Sequence, residues 1–290
     1  MANLEDIISD IDSLPALPAT AARLTSMLMS GESDIAEVAE IVRIDEALSI
    51  TVLRYANSSM FGRPGREFNL RESIIRLGNA TVLKIVMQQQ IGQMLRNGGV
   101  AFGLERGAMW RGALGGAFAA EHLAKAHGFE DSDLCFVCGL LRDIGKLALD
   151  VRYGSDYVTK VNACLTDTMT FQEAEREAIG TDHAEVGAAL AEHWQLPERI
   201  CSAIRHHHTP PAEAPEHDTL IDLVHAADIV CLWAGLAVGY DGLQYHLSPH
   251  VKESLSLNRR SAEIEITTMW HRVREIEDAM NGTTHERHVA

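Results

Sequence analysis

Apolar residues recur along this chain with a helical period almost from end to end, and that pattern excludes most architectures. Ile35, Val38, Ala39 and Val42 follow the i, i+3, i+4, i+7 stripe, and Leu48, Val52 and Tyr55 repeat it in the next segment. Further helices are predicted at 79–96, 104–127, 132–150, 170–179, 182–195, 197–207, 217–236 and 260–281. No strand alternation stands between them, so the fold class is all-α. Asp34 and Asp45 are placed to cap the first two helices, while Ser30-Gly31 and Asn57-Ser58-Ser59 supply breaks. The last helix carries a stripe through Ile266, Met269, Trp270, Val273 and Ile276. Such a stripe packs back onto the domain or onto a second copy.

Two interruptions organise the chain. Asn97-Gly98-Gly99 divides an N-terminal helical part, 1–97, from a core at 98–236, which a C-terminal loop and helix at 237–290 follow. The proline-rich stretch from Pro210-Pro211 to Pro215 reads as an exposed loop, because proline blocks helix.

Composition narrows the functions available. A formal charge of -16 repels nucleic acid and anionic lipid, and the basic stretches, Arg63 to Arg66 and Arg259-Arg260, are short. Neither nucleic acid nor membrane is an expected partner. The start, Met1-Ala-Asn-Leu-Glu-Asp6, is acidic and lacks an apolar h-region, which points to the cytoplasm. The longest apolar run, Ile229 to Gly239, is about half of what a membrane span needs and reads as a buried helix. Five cysteines, an odd number, fit reduced thiols. Cys135-Phe-Val-Cys138 lies in an apolar helix without a second pair, so buried core thiols explain it better than zinc or redox chemistry.

Side chains able to ligate metal concentrate at Asp143, at Asp182-His183, and at His206-His207-His208, with Asp228 downstream. Taken singly, each has a plainer reading: a helix carboxylate is usually solvated, and a triple histidine is usually an exposed helix end. Their order is more informative. Gly139-Leu-Leu-Arg-Asp-Ile-Gly-Lys146, Asp182-His-Ala-Glu-Val-Gly187, Leu196-Pro-Glu-Arg-Ile200, Ile204-Arg-His-His-His208 and Ala226-Ala-Asp228 resemble the HD phosphohydrolase superfamily. Leu14-Pro-Ala-Leu-Pro18, Asp45-Glu-Ala-Leu48, Ala56-Asn-Ser58, Phe61-Gly-Arg-Pro-Gly65 and Ser73-Ile-Ile-Arg-Leu-Gly78 are similar to its HDOD (HD-related output domain) branch, and the resemblance spans roughly residues 13 to 235.

The resemblance implies an HD-domain/PDEase-like helical bundle with an N-terminal helical subdomain, built around imidazoles and carboxylates that hold metal and generate hydroxide. Two of the implied ligand positions hold other residues. Glycine stands at Gly112, after Trp110, and the histidine of the HD pair is Arg142. Asp143, His183, Asp228 and one of His207 or His208 remain as ligands. Arginine donates only and cannot coordinate a cation, so between Asp143 and Asp228 it would take the place of the metal. Lys146 reads equally as a phosphate-facing group or as an ordinary lysine on a polar helix face. No Gly-Tyr-Pro follows the histidines, which disfavours cyclic-dinucleotide hydrolysis.

Arg142, Asp143 and Lys146 are therefore expected as a remnant site with no catalytic residue. No cofactor is expected; the alternative is one divalent ion (iron, manganese or zinc) on Asp143, His183, His207 and Asp228. The expected role is a non-catalytic bacterial signal-transduction output module. It would bind signalling proteins, with a homodimer open, and would receive its input from another molecule. The alternative is a residual single-metal phosphohydrolase. Met60 and Phe61, beside Arg63 and Arg66, are candidate contact residues, with burial against the middle helices as the equal alternative.

Overall fold

Several helices begin where a short polar side chain replaces the backbone acceptor missing from a first turn. The structure is a computed structural model that describes residues 23, 25, 27, 35–57, 69–212, 217–242 and 244–281. The Leu14–Pro18 motif, Ser30-Gly31, Asp34, Ser58, Met60 to Arg66 and Pro215 lie outside the described residues. Helices α1 (Ile35–Ile44), α2 (Glu46–Asn57), α3 (Leu70–Leu77) and α4 (Asn79–Leu95) form the N-terminal group. Asp45 accepts from Leu48 N at 3.0 Å at the start of α2, and Asn69 with Glu72 closes a capping box at α3.

The rest comprises α5 (Ala108–Ala126), α6 (Ser132–Leu141), α7 (Ile144–Tyr153), α8 (Asp156–Cys164), α9 (Phe171–Ile179), α10 (His183–His193), α11 (Glu198–His206), α12 (Thr219–Trp233), α13 (Pro249–Ser254) and α14 (Arg259–Asn281). No strand occurs among the described residues. Helix α5 is central and packs against α6, α12, α14 and α4, while α10 lies on α7 and α11. One continuous apolar cluster runs from Val38 in α1 to Ile276 in α14. No helix among the described residues is long and apolar enough to cross a membrane. Cys135 and Cys138 are free and buried on α6, and burial pushes the Cys135 thiol up to about 12.

Three departures from the expected helices have local causes. The helix predicted over 132–150 is two, α6 and α7, broken at Arg142-Asp143, where Asp143 adopts φ -99° and ψ 12°. The break turns both side chains into one cavity, which a continuous helix would not do. The apolar run at Ile229–Gly239 is helical only to Trp233; Gly235, at φ +75°, donates to Leu232 O and Leu236 donates to Cys231 O. That is a Schellman-type stop. Helices α3, α8 and α13 were not anticipated: α8 and α13 are short with few apolar positions, and α3, although Leu70, Ile74 and Leu77 follow the helical period, is only eight residues long.

The turn at Asn97-Gly98-Gly99 is anchored to α7, where Asp150 accepts from Gly99 N at 3.0 Å and from Ala101 N at 2.6 Å. It carries Phe102, whose ring packs 4.6 Å from Tyr157 and 6.1 Å, edge-on, from His183. Helices α7 and α10 approach through two glycines: a Cβ on Gly145 would collide with the His183 carbonyl and come within 2.5 Å of Gly187 N. Only backbone lies there, so nothing can rotate away. Gly145→Ala should therefore separate α7 from α10 and lower stability by about 3 kcal/mol, read from the denaturant midpoint. An unchanged midpoint would refute this account of the crossing.

Candidate functional site

The break between α6 and α7 places Arg142 at the centre of the molecule with only 2% of its surface exposed. Its Nε donates to Asp228 Oδ1 at 2.7 Å, and Nη2 lies 3.3 Å from Asp143 Oδ2. Nη1 donates to the carbonyls of Gly139 at 2.8 Å and Gly112 at 3.2 Å. Burial opposes this charge, but Asp143 and Asp228 outweigh it and raise the guanidinium's pKa above its ordinary value. Space for it comes from α5: a Cβ on Gly116 would collide with Arg142 Nη1. Gly112 is not simply vacant, because a Cβ there would collide with that of Ala237.

Lys146 is buried, which corrects its reading as an ordinary polar-face lysine. It lies 2.6 Å from Asp241 Oδ2 and 2.9 Å from Asp143 Oδ1, the latter off the hydrogen-bond direction. Burial would raise the Asp143 carboxyl, but Lys146 and Arg142 prevail and hold it well below the usual carboxylate range.

The triple histidine is not an exposed helix end. His207 and His208, just past α11, are both buried beside His183, so both belong to the site. Each imidazole is oriented from behind. His183 Nδ1 donates to Glu175 Oε2 at 2.7 Å, and Glu175 is in turn bonded by the Tyr157 hydroxyl. His207 Nδ1 donates to Ile204 O at 2.6 Å, which leaves its Nε2 as an acceptor without a hydrogen bond. His208 stacks on Tyr245 at 3.6 Å and puts Nδ1 3.3 Å from Asp228 Oδ2. His183 Nε2 and His208 Nε2 are 2.9 Å apart.

Donor atoms of Asp143, His183, His207 and His208 all lie within 4.8 Å of one another. Three imidazoles and one carboxylate, with rings fixed by groups behind them, suit one divalent ion such as zinc, manganese or iron. The unpartnered Nε2 of His207 points the same way. Asp228 stands outside this donor group; Arg142 holds its Oδ1, while its Oδ2 is buried without a hydrogen-bond partner, 3.3 Å from His208 Nδ1. Glu175, Tyr157, Asp241 and Tyr245 were missed by sequence reasoning. Glu175 carried one signal, a carboxylate on the apolar stripe of Phe171, Ala174 and Ile179; the others carried none.

The imidazoles titrate in opposite directions. Burial depresses His207 to about 4, partly offset by Asp143, and burial likewise takes His208 well below its ordinary value. Burial also works against His183, but Glu175 overcomes it and raises that pKa. A depressed histidine costs stability as pH falls below its unfolded value of 6.5, because the unfolded chain takes up the proton first. A raised one contributes stability below 6.5 that is lost as pH rises through its folded value. Below pH 6.5 the raised histidine's contribution no longer changes, so the two depressed ones set the acid-side slope. Metal-free protein should therefore lose stability from pH 6.5 to 4 by roughly 1.4 kcal/mol per pH unit for each proton taken up. His207→Gln should flatten that slope; an equally steep slope would contradict the assignment.

Comparison with known proteins agrees with this framework. A family model of the HDOD domain matches residues 14–210. A crystal structure of an HDOD domain protein of unknown function from Geobacter sulfurreducens superposes with TM-score 0.76 at 27% identity, covering 95% of this chain and 96% of that one. One from Marinobacter aquaeolei VT8, described as a candidate signal transduction protein, gives TM-score 0.73 at 23% identity, over 95% of this chain and 60% of its own. An uncharacterised protein of Treponema pallidum (strain Nichols) is 27% identical over 232 residues, and the match takes in 77% of this chain but 43% of that protein's length. The all-α bundle read from sequence is thus the fold, and the chain belongs to the HDOD domain family.

Proposed function

We propose that this chain is a non-catalytic signal-transduction output module acting through protein–protein contacts, with signalling proteins as partners and its HD-type pocket converted into a structural centre. One observation carries the reading. The Arg142 guanidinium is buried against Asp228, Asp143 and two backbone carbonyls, where it supplies the positive charge those carboxylates require. Each carboxylate left without it would bear a desolvation cost of several kcal/mol.

The histidine side of the pocket supports a second, narrower reading. Asp143, His183, His207 and His208 would hold a single ion, which when bound supplies Lewis acidity and a polarised water. Four protein donors close a tetrahedral site, as structural sites are closed, whereas catalytic ones keep a position open. An ion with more coordination positions would leave room for a water. That water is what the alternative, a single-metal phosphohydrolase, requires. Lys146 would then shift its weight from Asp143 to Asp241, which already holds it at 2.6 Å.

Elemental analysis of protein purified without chelators, with turnover of a phosphodiester such as bis(p-nitrophenyl) phosphate, separates the readings. At most one ion per chain and no turnover above background are expected. Turnover that disappears in Asp143→Ala would overturn the proposal in favour of the enzyme. Arg142→Met should lower stability by about 3–5 kcal/mol, because it leaves Asp228 buried and unpaired, and adding Asp228→Leu should recover most of the loss. A single variant as stable as the parent would remove the structural role assigned to Arg142.

A further inference from the structure

The histidine side of the pocket is closed off from solvent: the side chains of His183, His207 and His208 are at most 2% exposed. A turn at 237–242, just past α12, connects it with the surface. Ala237 opens that turn at φ +51°, a left-handed conformation that residues with a Cβ rarely adopt. Tyr240 N donates to Phe102 O at 2.9 Å, and its ring lies on Gly103, where a Cβ would come within 2.5 Å of Tyr240 Cε2. The outer side of that ring meets solvent, and Tyr240 is 53% exposed. The next residue, Asp241, is buried, and its Oδ2 accepts from Lys146 Nζ at 2.6 Å.

Lys146 is shared between this turn and the pocket. Its Nζ also lies 2.9 Å from Asp143 Oδ1 and 5.4 Å over the Phe102 ring. Burial opposes its charge, but Asp143 and Asp241 prevail and keep it protonated. The same Asp143 Oδ1 stands 4.0 Å from His183 Nε2 and 3.8 Å from His207 Nε2. One carboxylate oxygen therefore faces both the ammonium and the place of an ion. Two cations drawn to one buried oxygen repel each other strongly, because little water screens them. An ion there sends Lys146 toward its other partner, and a flexible four-carbon stem allows the move. Asp241 has room for it, since its Oδ1 is buried with no hydrogen-bond partner among the described residues.

We infer that an ion in the histidine pocket is coupled through Lys146 and Asp241 to the turn at 237–242, so that occupancy of the pocket is expressed at the exposed face of Tyr240. The inference rests on the single-ion reading of the pocket. Coupling of this kind is reciprocal. The ion locks the turn by making Asp241 the principal counter-charge of Lys146, and a turn held in place leaves Asp143 to the ion.

Calorimetric titration of the full chain with zinc chloride, paired with backbone hydrogen exchange, tests this. Zinc should slow exchange across 237–242 roughly tenfold and leave the turn at 127–129 unchanged. His207→Gln should abolish both zinc binding and the slowing. Asp241→Asn should weaken zinc roughly tenfold and remove the slowing even at saturating zinc. Tyr240→Ala trims an exposed ring, keeps the fold, and should weaken zinc about threefold. Zinc bound by the parent with exchange at 237–242 unchanged, equal slowing at 127–129, slowing that survives in His207→Gln, or Asp241→Asn binding zinc as tightly as the parent would each overturn the coupling while leaving the ion reading standing. Failure of the parent to bind zinc would overturn both.

Discussion

A guanidinium buried at the junction of α5, α6 and α12 is the constraint around which the rest of the structure is arranged. A charge there has no water to solvate it, so every group it faces must compensate. Asp228 and Asp143 supply negative charge, and the carbonyls of Gly112 and Gly139 take the remaining donors. The cost of burying these ions offsets much of their attraction, so the arrangement contributes specificity more than net stability. What it fixes is geometry: α6 must stop at Leu141, α5 must present glycine at Gly116, and α12 must bring Asp228 inward.

The same centre separates two functions that an imidazole–carboxylate pocket can combine. On the Asp228 side the positive charge is permanent and covalently part of the chain. On the histidine side, Glu175 and the Ile204 carbonyl orient His183 and His207 as they would for a metal. Asp143 belongs to both sides, with one oxygen toward Arg142 and the other toward Lys146 and the histidines. Its carboxyl stays ionised because two buried cations outweigh the burial that would neutralise it. The pocket is thus balanced without an ion and retains donors for one.

Sequence reading went furthest where a signal was local. Long periodic helices such as α4, α5 and α14 fell near their predicted spans, and the ordered motifs from Gly139 to Asp228 indicated the family. Among the short helices, α9 and α11 were read while α3, α8 and α13 were not, because six to nine residues hold at most about two turns of pattern. The site was legible in its parts and not in its assembly. His207 and His208 could not be ranked from their spacing, since adjacent helix-end residues point apart unless the chain leaves the helix, as it does here after His206. Tyr245 and Asp241 come from an irregular segment with no pattern at all, and only its return across the pocket gives them partners.

The sequence by itself determined the helical class, the substitution of arginine for an expected histidine, and the charge that disfavours nucleic acid, because these follow from residue type and periodicity. Tertiary structure decided which carboxylate answers which cation. Asp228, 86 residues from Arg142, is held by it through Oδ1, whereas His208, next to His207, joins the donor group of Asp143 and His183. Electrostatic partners in a buried site are chosen by distance in space, which falls off within a few ångströms and bears no relation to separation along the chain.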